Sequence, residues 1–180
     1  YAGDFSLFDF YYEKSYEKFQ KELFSVYQNY SYYVKVDIKN YYKNIDFDSL
    51  VNLSQKYGLE VFNWVNKLIT CLKTYNVKEY PIIQECCGLS YLATNMYLSN
   101  IDEKLQWYFS DKFEDCKMLR YSDDLYILFN CDCEVASQFK EPIKKYIRKV
   151  LCEDLHLKIN EKFVFEETDN LPTNVETKLY

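Results

Sequence analysis

The fold of this chain is decided by residues 117–129, KMLRYSDDLYILF. Short apolar runs flank the polar tetrapeptide 121–124, and this pattern predicts two buried strands joined by a hairpin turn with both aspartates at its tip. Two carboxylates held so close together are disfavoured unless a cation neutralises them, and Mg²⁺ accepts one or two carboxylates together with substrate phosphates. The hairpin therefore predicts a metal-bound site for phosphoryl transfer.

The composition predicts one packed, aromatic-rich domain. A chain of 180 residues is long enough for one domain with an ample core, and 20 tyrosines and 13 phenylalanines set it apart from disordered sequences. The net charge of −6 argues against a surface coated for nonspecific nucleic-acid binding, because that affinity comes from Lys and Arg. A local basic groove stays open, although the densest basic stretch, 140–149, is typical of a solvated helix face.

Cysteine spacing and hydropathy indicate the cellular compartment in which we expect the protein. The 7 cysteines are an odd number without a Cys-x-x-Cys pair, which predicts reduced, mostly buried thiols rather than a zinc site. No apolar run approaches the length of a membrane span, and the first residues lack the basic start and apolar stretch of a signal peptide. We therefore expect no membrane association and a cytoplasmic location.

Periodicity predicts helices and strands in an order typical of an α+β fold, without repeats or linkers. A strand is predicted at 32–38, and short strands are predicted at 155–159 and 163–166, the first of which contains the single histidine, His156. Helices are predicted at 9–30, from Asp46 or Asp48 to Tyr57 before Gly58, and at 60–72, 89–109 and 134–152, with an irregular stretch at 75–88. This order fits an antiparallel sheet with helices packed on one face.

A third carboxylate, Asp37, ends the predicted strand 32–38. If this strand lies beside the hairpin, Asp37, Asp123 and Asp124 surround a site for two cations. In-line nucleotidyl transfer needs such a site, because one ion lowers the pKa of the attacking hydroxyl and the other stabilises the leaving pyrophosphate. The three aspartates are therefore candidate metal ligands.

These residues resemble the palm of reverse transcriptases over about residues 33–166. The stretch 36–45, VDIKNYYKNI, is similar to motif A of that family, in which an aromatic follows the aspartate after five residues. The tetrapeptide 121–124, YSDD, is similar to motif C, the Tyr-x-Asp-Asp box. The stretch 155–162, LHLKINEK, is similar to motif D. Together, motifs A and C are specific, whereas motif D alone is a weak signal.

The stretch 90–98, SYLATNMYL, with Ile101 and Asp102, resembles the helix of motif B. Its entrance, 83–89 (IQECCGL), departs from the Gly/Pro-rich turn of the family, which bears on template handling because glycine permits close backbone approach. The spacing from Ser to Asn is similar to that in the bacterial abortive-infection and defence-associated branch. The resemblance thus implies an anti-phage role, in some members with synthesis that copies no conventional template.

The resemblance implies a metal centre of two Mg²⁺ ions, for which Mn²⁺ is an alternative. Asp37, Asp123 and Asp124 would bind the ions, and the backbone carbonyl of Ile38 is a lesser candidate. Lys162 would protonate or neutralise the leaving pyrophosphate, with Lys158 as the alternative residue.

The resemblance also implies contacts to substrates, which would be a template, a primer and dNTPs. Tyr42 would lie under the incoming sugar and exclude a 2′-hydroxyl by its bulk, which favours deoxynucleotides. Candidates for contacts to the nucleotide or template are Gln84, Ser90 and Asn95.

Each of these residues also has an ordinary structural explanation. The paired aspartates can accept hydrogen bonds from amides of their own turn, and Tyr42 can be a core aromatic. Lys162 can be a solvated strand-end lysine, and Ser90 and Asn95 can be helix residues without a ligand. His156 lies in an apolar strand pattern and is expected to be structural.

The predicted function is RNA-directed DNA synthesis by a reverse transcriptase palm. One alternative is an RNA-dependent RNA polymerase palm, which Tyr42 disfavours because such enzymes usually carry a small or acidic residue there. The other is a noncatalytic palm that acts as a binding or assembly module; a nucleotide cyclase is disfavoured by the missing glycine-rich turn. Oligomeric state stays open.

The predicted division of the chain follows the same resemblance. Residues 1–32 would be an N-terminal helix on the fingers side, 33–167 the palm, and 168–180 a connection towards a thumb. The 36 residues before Asp37 are too few for complete fingers, so we expect either that the chain is a fragment or that the missing parts come from elsewhere in a larger protein.

Overall fold

The computed structural model describes residues 12–80, 87–159 and 163–171. Helices and strands follow one another in a mixed order. In chain order they are α1 (Tyr12–Val26), β1 (Tyr32–Lys39), α2 (Phe47–Ser54), α3 (Leu59–Thr74), α4 (Cys87–Lys112), β2 (Cys116–Tyr121), β3 (Asp124–Phe129), α5 (Cys133–Arg148), β4 (Lys158–Ile159) and β5 (Val164–Glu167).

Strand β1 is the centre of an antiparallel sheet. On one side β3 pairs with it from Tyr32 opposite Phe129 to Asp37 opposite Asp124, and β2 pairs with the outer edge of β3. On the other side β5 pairs with the first half of β1, and β4 pairs with its last two residues. The predicted adjacency of the 32–38 strand and the hairpin is therefore confirmed.

The two faces of the sheet carry separate apolar clusters, because side chains alternate across a strand. The larger core lies between the sheet and α2 to α5, and the smaller one lies under α1. The larger core takes from the sheet Val34, Val36, Ile38, Leu125, Ile127 and Phe129. The smaller one contains Phe19 and Leu23 of α1 with Tyr33, Leu119, Tyr121, Tyr126 and Leu128. The predicted α+β sheet with packed helices is confirmed, and α1 covers the opposite face in addition.

Local signals in the sequence explain the ends of α2. The Asp46 side chain accepts a hydrogen bond of 2.8 Å from the backbone N–H of Ser49, so Asp46 is the N-cap. Hydrogen bonds from the side chain and the backbone N–H of Ser49 lower the pKa of Asp46. After α2 and a short 3₁₀ turn, Gly58 has φ +98° and ψ 167°, a conformation that is essentially limited to glycine. Of the two predicted helix starts, Asp46 is therefore the correct one.

Strand β4 is shorter than predicted. His156 has φ +55°, in the left-handed region, so the chain cannot be extended there and only Lys158–Ile159 pair with β1. The prediction of a strand over 155–159 with His156 inside it is wrong in its first three residues. Backbone conformation at a single histidine is not visible in an apolar pattern.

Other element boundaries differ by a few residues. Helix α1 ends at Val26 and gives way to a 3₁₀ turn, and α5 ends at Arg148 and continues as a π-helical turn over Lys149–Glu153. Helix α4 begins at Cys87, two residues inside the stretch predicted to be irregular, and residues 81–86 of that stretch lie outside the described residues.

The cysteines whose side chains the structure describes are free thiols, but the predicted burial is wrong for them. Two are exposed and three are half-buried, because they lie on outward helix faces and at element ends. They are Cys71 and Cys133, and Cys116, Cys131 and Cys152, respectively. Within the part of the chain that the structure describes, no helix combines the length and apolar character needed to span a membrane.

Candidate active site

The strand register brings the predicted carboxylates together. Asp37 in β1 and Asp124 in β3 are directly opposite each other, on the face of the sheet that α1 covers. Tyr121 pairs with Asp124, so the turn contains only Ser122 and Asp123. The prediction that both aspartates lie at the tip is therefore wrong for Asp124, which is the first residue of a strand. Strand pairing holds it more firmly than a turn would.

The carboxylates of Asp37, Asp123 and Asp124 repel one another. The pKa of Asp123 is raised to about 6, mainly by burial and also by the charges of Asp124 and Asp37, although hydrogen bonds from its own backbone N–H and from Ser122 oppose the shift. Burial also raises the pKa of Asp124, with Asp37 adding to the shift and Lys35 opposing it. The folded chain thus disfavours ionisation of both Asp123 and Asp124, as expected for a site that a cation completes.

Lys35 is a residue of this site that the sequence analysis missed. Its Nζ lies 3.9 Å from Oδ1 of Asp124 and 5.1 Å from the ring centroid of Tyr126. Lys35 precedes Asp37 by two residues and therefore shares its sheet face. The two-residue spacing of Lys35 and Asp37 in a predicted strand is the sequence signal that could have placed Lys35 at this site. Lys35 supplies one positive charge to a group of three negative ones.

The donor set fits a divalent cation that binds together with its substrate. Among the described residues, no three His, Cys, Asp or Glu side chains are close enough to hold a metal ion by themselves. Mg²⁺, however, usually binds through one or two carboxylates plus substrate phosphates and keeps several waters. The facing pair Asp37 and Asp124, with Asp123 beside it, supplies such oxygens. The side chain of Ile38 is buried in the larger core, so only its backbone carbonyl is a candidate.

Tyr42 lies beside the turn that carries Asp123. It belongs to the 3₁₀ turn Tyr41–Asn44 that follows β1, and its ring is half-buried, 5.2 Å from that of Tyr41. Its hydroxyl is 2.6 Å from Oγ of Ser122, a hydrogen bond in which either oxygen can donate. The structure thus places Tyr42 against Ser122, the residue that precedes Asp123 in the turn.

A buried ion pair, also missed from the sequence, supports the turn from behind. Arg120 and Asp102 are 8% and 3% exposed. Nε of Arg120 donates to both carboxylate oxygens at 2.9 and 3.1 Å, and Nη2 donates at 2.6 Å. Burial alone would lower the pKa of this guanidinium, but the adjacent Asp102 carboxylate raises it above its ordinary value. The pair locks β2 to α4.

The remaining guanidinium nitrogen, Nη1 of Arg120, connects this ion pair to the turn of the candidate active site. Nη1 of Arg120 donates to Oδ1 of Asn95 at 2.6 Å and to the backbone carbonyl of Ser122 at 3.1 Å. Asn95 is 3% exposed, so its amide oxygen is engaged inside the protein. The predicted contact residue Asn95 thus lies within the support of the turn.

The other predicted site residues are placed only in part. Ser90 belongs to α4, but its side chain is outside the description, and Gln84 and Lys162 lie outside the described residues. Lys158, the alternative to Lys162, is exposed in β4 opposite Lys39.

The sheet, its facing carboxylates and the packed helices define this fold as a polymerase palm. A family model described as reverse transcriptase (RNA-dependent DNA polymerase) matches residues 3–166, and the chain belongs to the reverse transcriptase family. No curated protein matches the chain significantly. Members of this family bind nucleic-acid templates and dNTPs and typically use divalent metal ions. Predicted family membership is confirmed.

Asp123→Asn should stabilise the metal-free protein at high pH. Because the folded pKa of Asp123, about 6, lies above the ordinary value of 3.8, the folded state binds the proton more tightly and stability falls as pH rises from about 4 to 6. The variant removes this loss, so in EDTA its free energy of unfolding at pH 8 should exceed that of the wild type by about 1–3 kcal/mol. The difference should shrink towards pH 4 in urea titrations. If Asp123→Asn were less stable than the wild type at pH 8, the raised pKa of Asp123 in the folded protein would be contradicted.

Arg120→Met should destabilise the fold by about 3–5 kcal/mol, because it leaves the Asp102 charge buried without a partner. The double variant Arg120→Met/Asp102→Leu should recover most of this loss. Lys73→Met is the matched control, since its pair with Asp48 is 49% and 77% exposed and should contribute about 0–1 kcal/mol. Urea unfolding measures the free energy of unfolding of all three variants. Equal losses for Arg120→Met and Lys73→Met would contradict the larger contribution expected of the buried pair.

Proposed function

We propose that this chain is the palm of an RNA-directed DNA polymerase that performs nucleotidyl transfer with two Mg²⁺ ions, or Mn²⁺, held by Asp37, Asp123 and Asp124. The observation that carries the proposal is the register that sets Asp37 opposite Asp124, next to the turn with Asp123. When bound, the ions would activate the primer hydroxyl and neutralise the leaving pyrophosphate. The family match supports the polymerase class.

The protein's own contribution would be to fix these carboxylates before substrate arrives. Strand pairing fixes Asp37 and Asp124, and the guanidinium of Arg120 fixes the turn through the Ser122 carbonyl. Lys35 would keep the Asp124 carboxylate oriented by their 3.9 Å contact. Preorganised charges of this kind stabilise developing charge without reorganisation during the reaction.

Tyr42 would select deoxynucleotides by its bulk. Its ring lies at the turn that carries Asp123, where a nucleotide bound by the carboxylates would present its sugar. This position supports the reverse transcriptase assignment over the RNA polymerase alternative, which needs room for the 2′-hydroxyl.

The other predicted residues keep their proposed roles. Lys162 would protonate or neutralise the pyrophosphate, and Gln84 and Ser90 would contact the nucleotide or template. Asn95 gives its amide oxygen to Arg120, so we expect it to act by positioning α4.

The proposed biological setting is bacterial anti-phage defence of the abortive-infection type, in the cytoplasm, with synthesis that need not copy a conventional template. This proposal is supported by the spacing from Ser90 to Asn95, which is similar to that in the abortive-infection branch of the family. In this proposal the fingers-side helix comprises residues 1–32 and the palm comprises residues 33–167. Residues 168–180 would form the connection towards a thumb.

Incorporation of labelled nucleotides tests the proposed activity. With Mg²⁺ and a primed template, or with primer alone, the protein should incorporate dNTPs, and EDTA should abolish the signal. Asp123→Ala should lower the rate about a thousandfold, because a bound metal is worth several kcal/mol of transition-state stabilisation.

Asp132→Asn is the matched control, because this exposed carboxylate lies beyond the opposite end of β3 from Asp124 and should leave the rate unchanged. Absence of metal-dependent incorporation, or equal rates for Asp123→Ala and Asp132→Asn, would refute the enzyme and favour a noncatalytic palm.

A further inference from the structure

We propose that Ser122 is a specificity-determining positioning residue, whose hydroxyl holds the Tyr42 ring where it excludes the 2′-hydroxyl of an incoming nucleotide. The inference deepens the proposed function and rests on it. It gives a role to Ser122, to which motif comparison assigns none.

The contact between the two residues is short and sheltered. The Tyr42 hydroxyl and Ser122 Oγ are 2.6 Å apart, within the usual range for O–H···O hydrogen bonds, and Ser122 is only 4% exposed. The two residues are 80 positions apart in sequence, so the fold alone creates the contact. It is a direct bond between the proposed sugar gate and the turn of the proposed metal site.

Ser122 is itself held on several sides. Its backbone carbonyl accepts the 3.1 Å hydrogen bond from Arg120, and its side chain also hydrogen-bonds Asp123. Its φ of +53° is the left-handed conformation that two-residue hairpin turns require. A hydroxyl fixed in this way is a firm anchor for a neighbouring ring.

The Tyr42 ring is half-buried, with its centroid 5.2 Å from that of Tyr41, on a four-residue 3₁₀ turn whose next residue, Lys43, is exposed. Ser122 adds a hydrogen bond at the hydroxyl end of the ring. A tyrosine ring moves about two side-chain torsions, and a steric gate acts only if its edge stays in place. One hydrogen bond is worth enough to change the preference between two substrates about three- to tenfold.

Ser122 also has a simpler explanation, as a small residue that tolerates a left-handed turn. The two explanations differ for Ser122→Gly. Glycine accepts φ +53° at least as readily as serine, so this variant keeps the turn and removes the side chain, with its hydrogen bonds to Tyr42 and Asp123. Tyr42→Phe removes the other partner of the bond and keeps the ring.

The experiment is a double-mutant cycle on the full chain, with kcat/KM measured for a dNTP and the matching NTP. Ser122→Gly and Tyr42→Phe should each lower the dNTP-to-NTP ratio about three- to tenfold by raising kcat/KM for the NTP. The double variant should lower the ratio no further than either single one, because all three remove the same bond. An unchanged ratio in either single variant, or losses that multiply in the double, would overturn the proposal.

Tyr42→Ala separates failure of this inference from failure of the proposed function. If the wild type incorporates nothing, both fail. If Tyr42→Ala leaves the ratio unchanged in an active enzyme, Tyr42 is not a gate and the anchor has no purpose. If Tyr42→Ala lowers the ratio but Ser122→Gly and Tyr42→Phe do not, only the role of Ser122 is overturned.

Discussion

The buried ion pair of Arg120 and Asp102 is the constraint on which the geometry of the candidate active site depends. A guanidinium and a carboxylate this far from solvent are tolerable only when paired and fully hydrogen-bonded, so β2 and α4 cannot separate without leaving a bare charge in the core. The nitrogen left over by this pair bonds Asn95 and the carbonyl of Ser122. Helix, strand end and turn are thereby held as one unit, and Asp123 is part of it.

The carboxylates themselves work against the fold. β1 and β3 place Asp37 and Asp124 opposite each other, where like charges destabilise a strand pair, and the pKa of Asp123 is raised by burial and by both neighbours. Apolar side chains of the same strands, packed on both faces of the sheet, offset this repulsion. The apolar packing of the strands thus supplies stability, whereas the unfavourable charge lies where a cation and a nucleotide would bind. Such a division is common at functional sites.

Much of the fold could be predicted from the sequence, because the apolar periods of β1, β3 and the helices are long and regular. The motif around Asp37 and the YSDD tetrapeptide likewise predicted that strand pairing brings Asp37 close to the hairpin aspartates, as the register shows. What could not be predicted rests on contacts between distant residues or on single backbone torsions. Arg120 meets Asp102 and Asn95 across 18 and 25 positions, and Tyr42 meets Ser122 across 80. The left-handed φ of His156, which shortens β4, leaves no mark on the hydropathy pattern.

A count of bound Mn²⁺ ions tests the three-carboxylate site most directly, because it needs no turnover. Electron paramagnetic resonance titration of the metal-stripped protein with a dNTP present should show about two ions per chain. Asp37→Asn and Asp124→Asn should each weaken binding at least about tenfold, since each removes a charged ligand, whereas Asp132→Asn should not. Equal Mn²⁺ binding by the wild type and by a variant lacking all three aspartates would contradict the proposed centre.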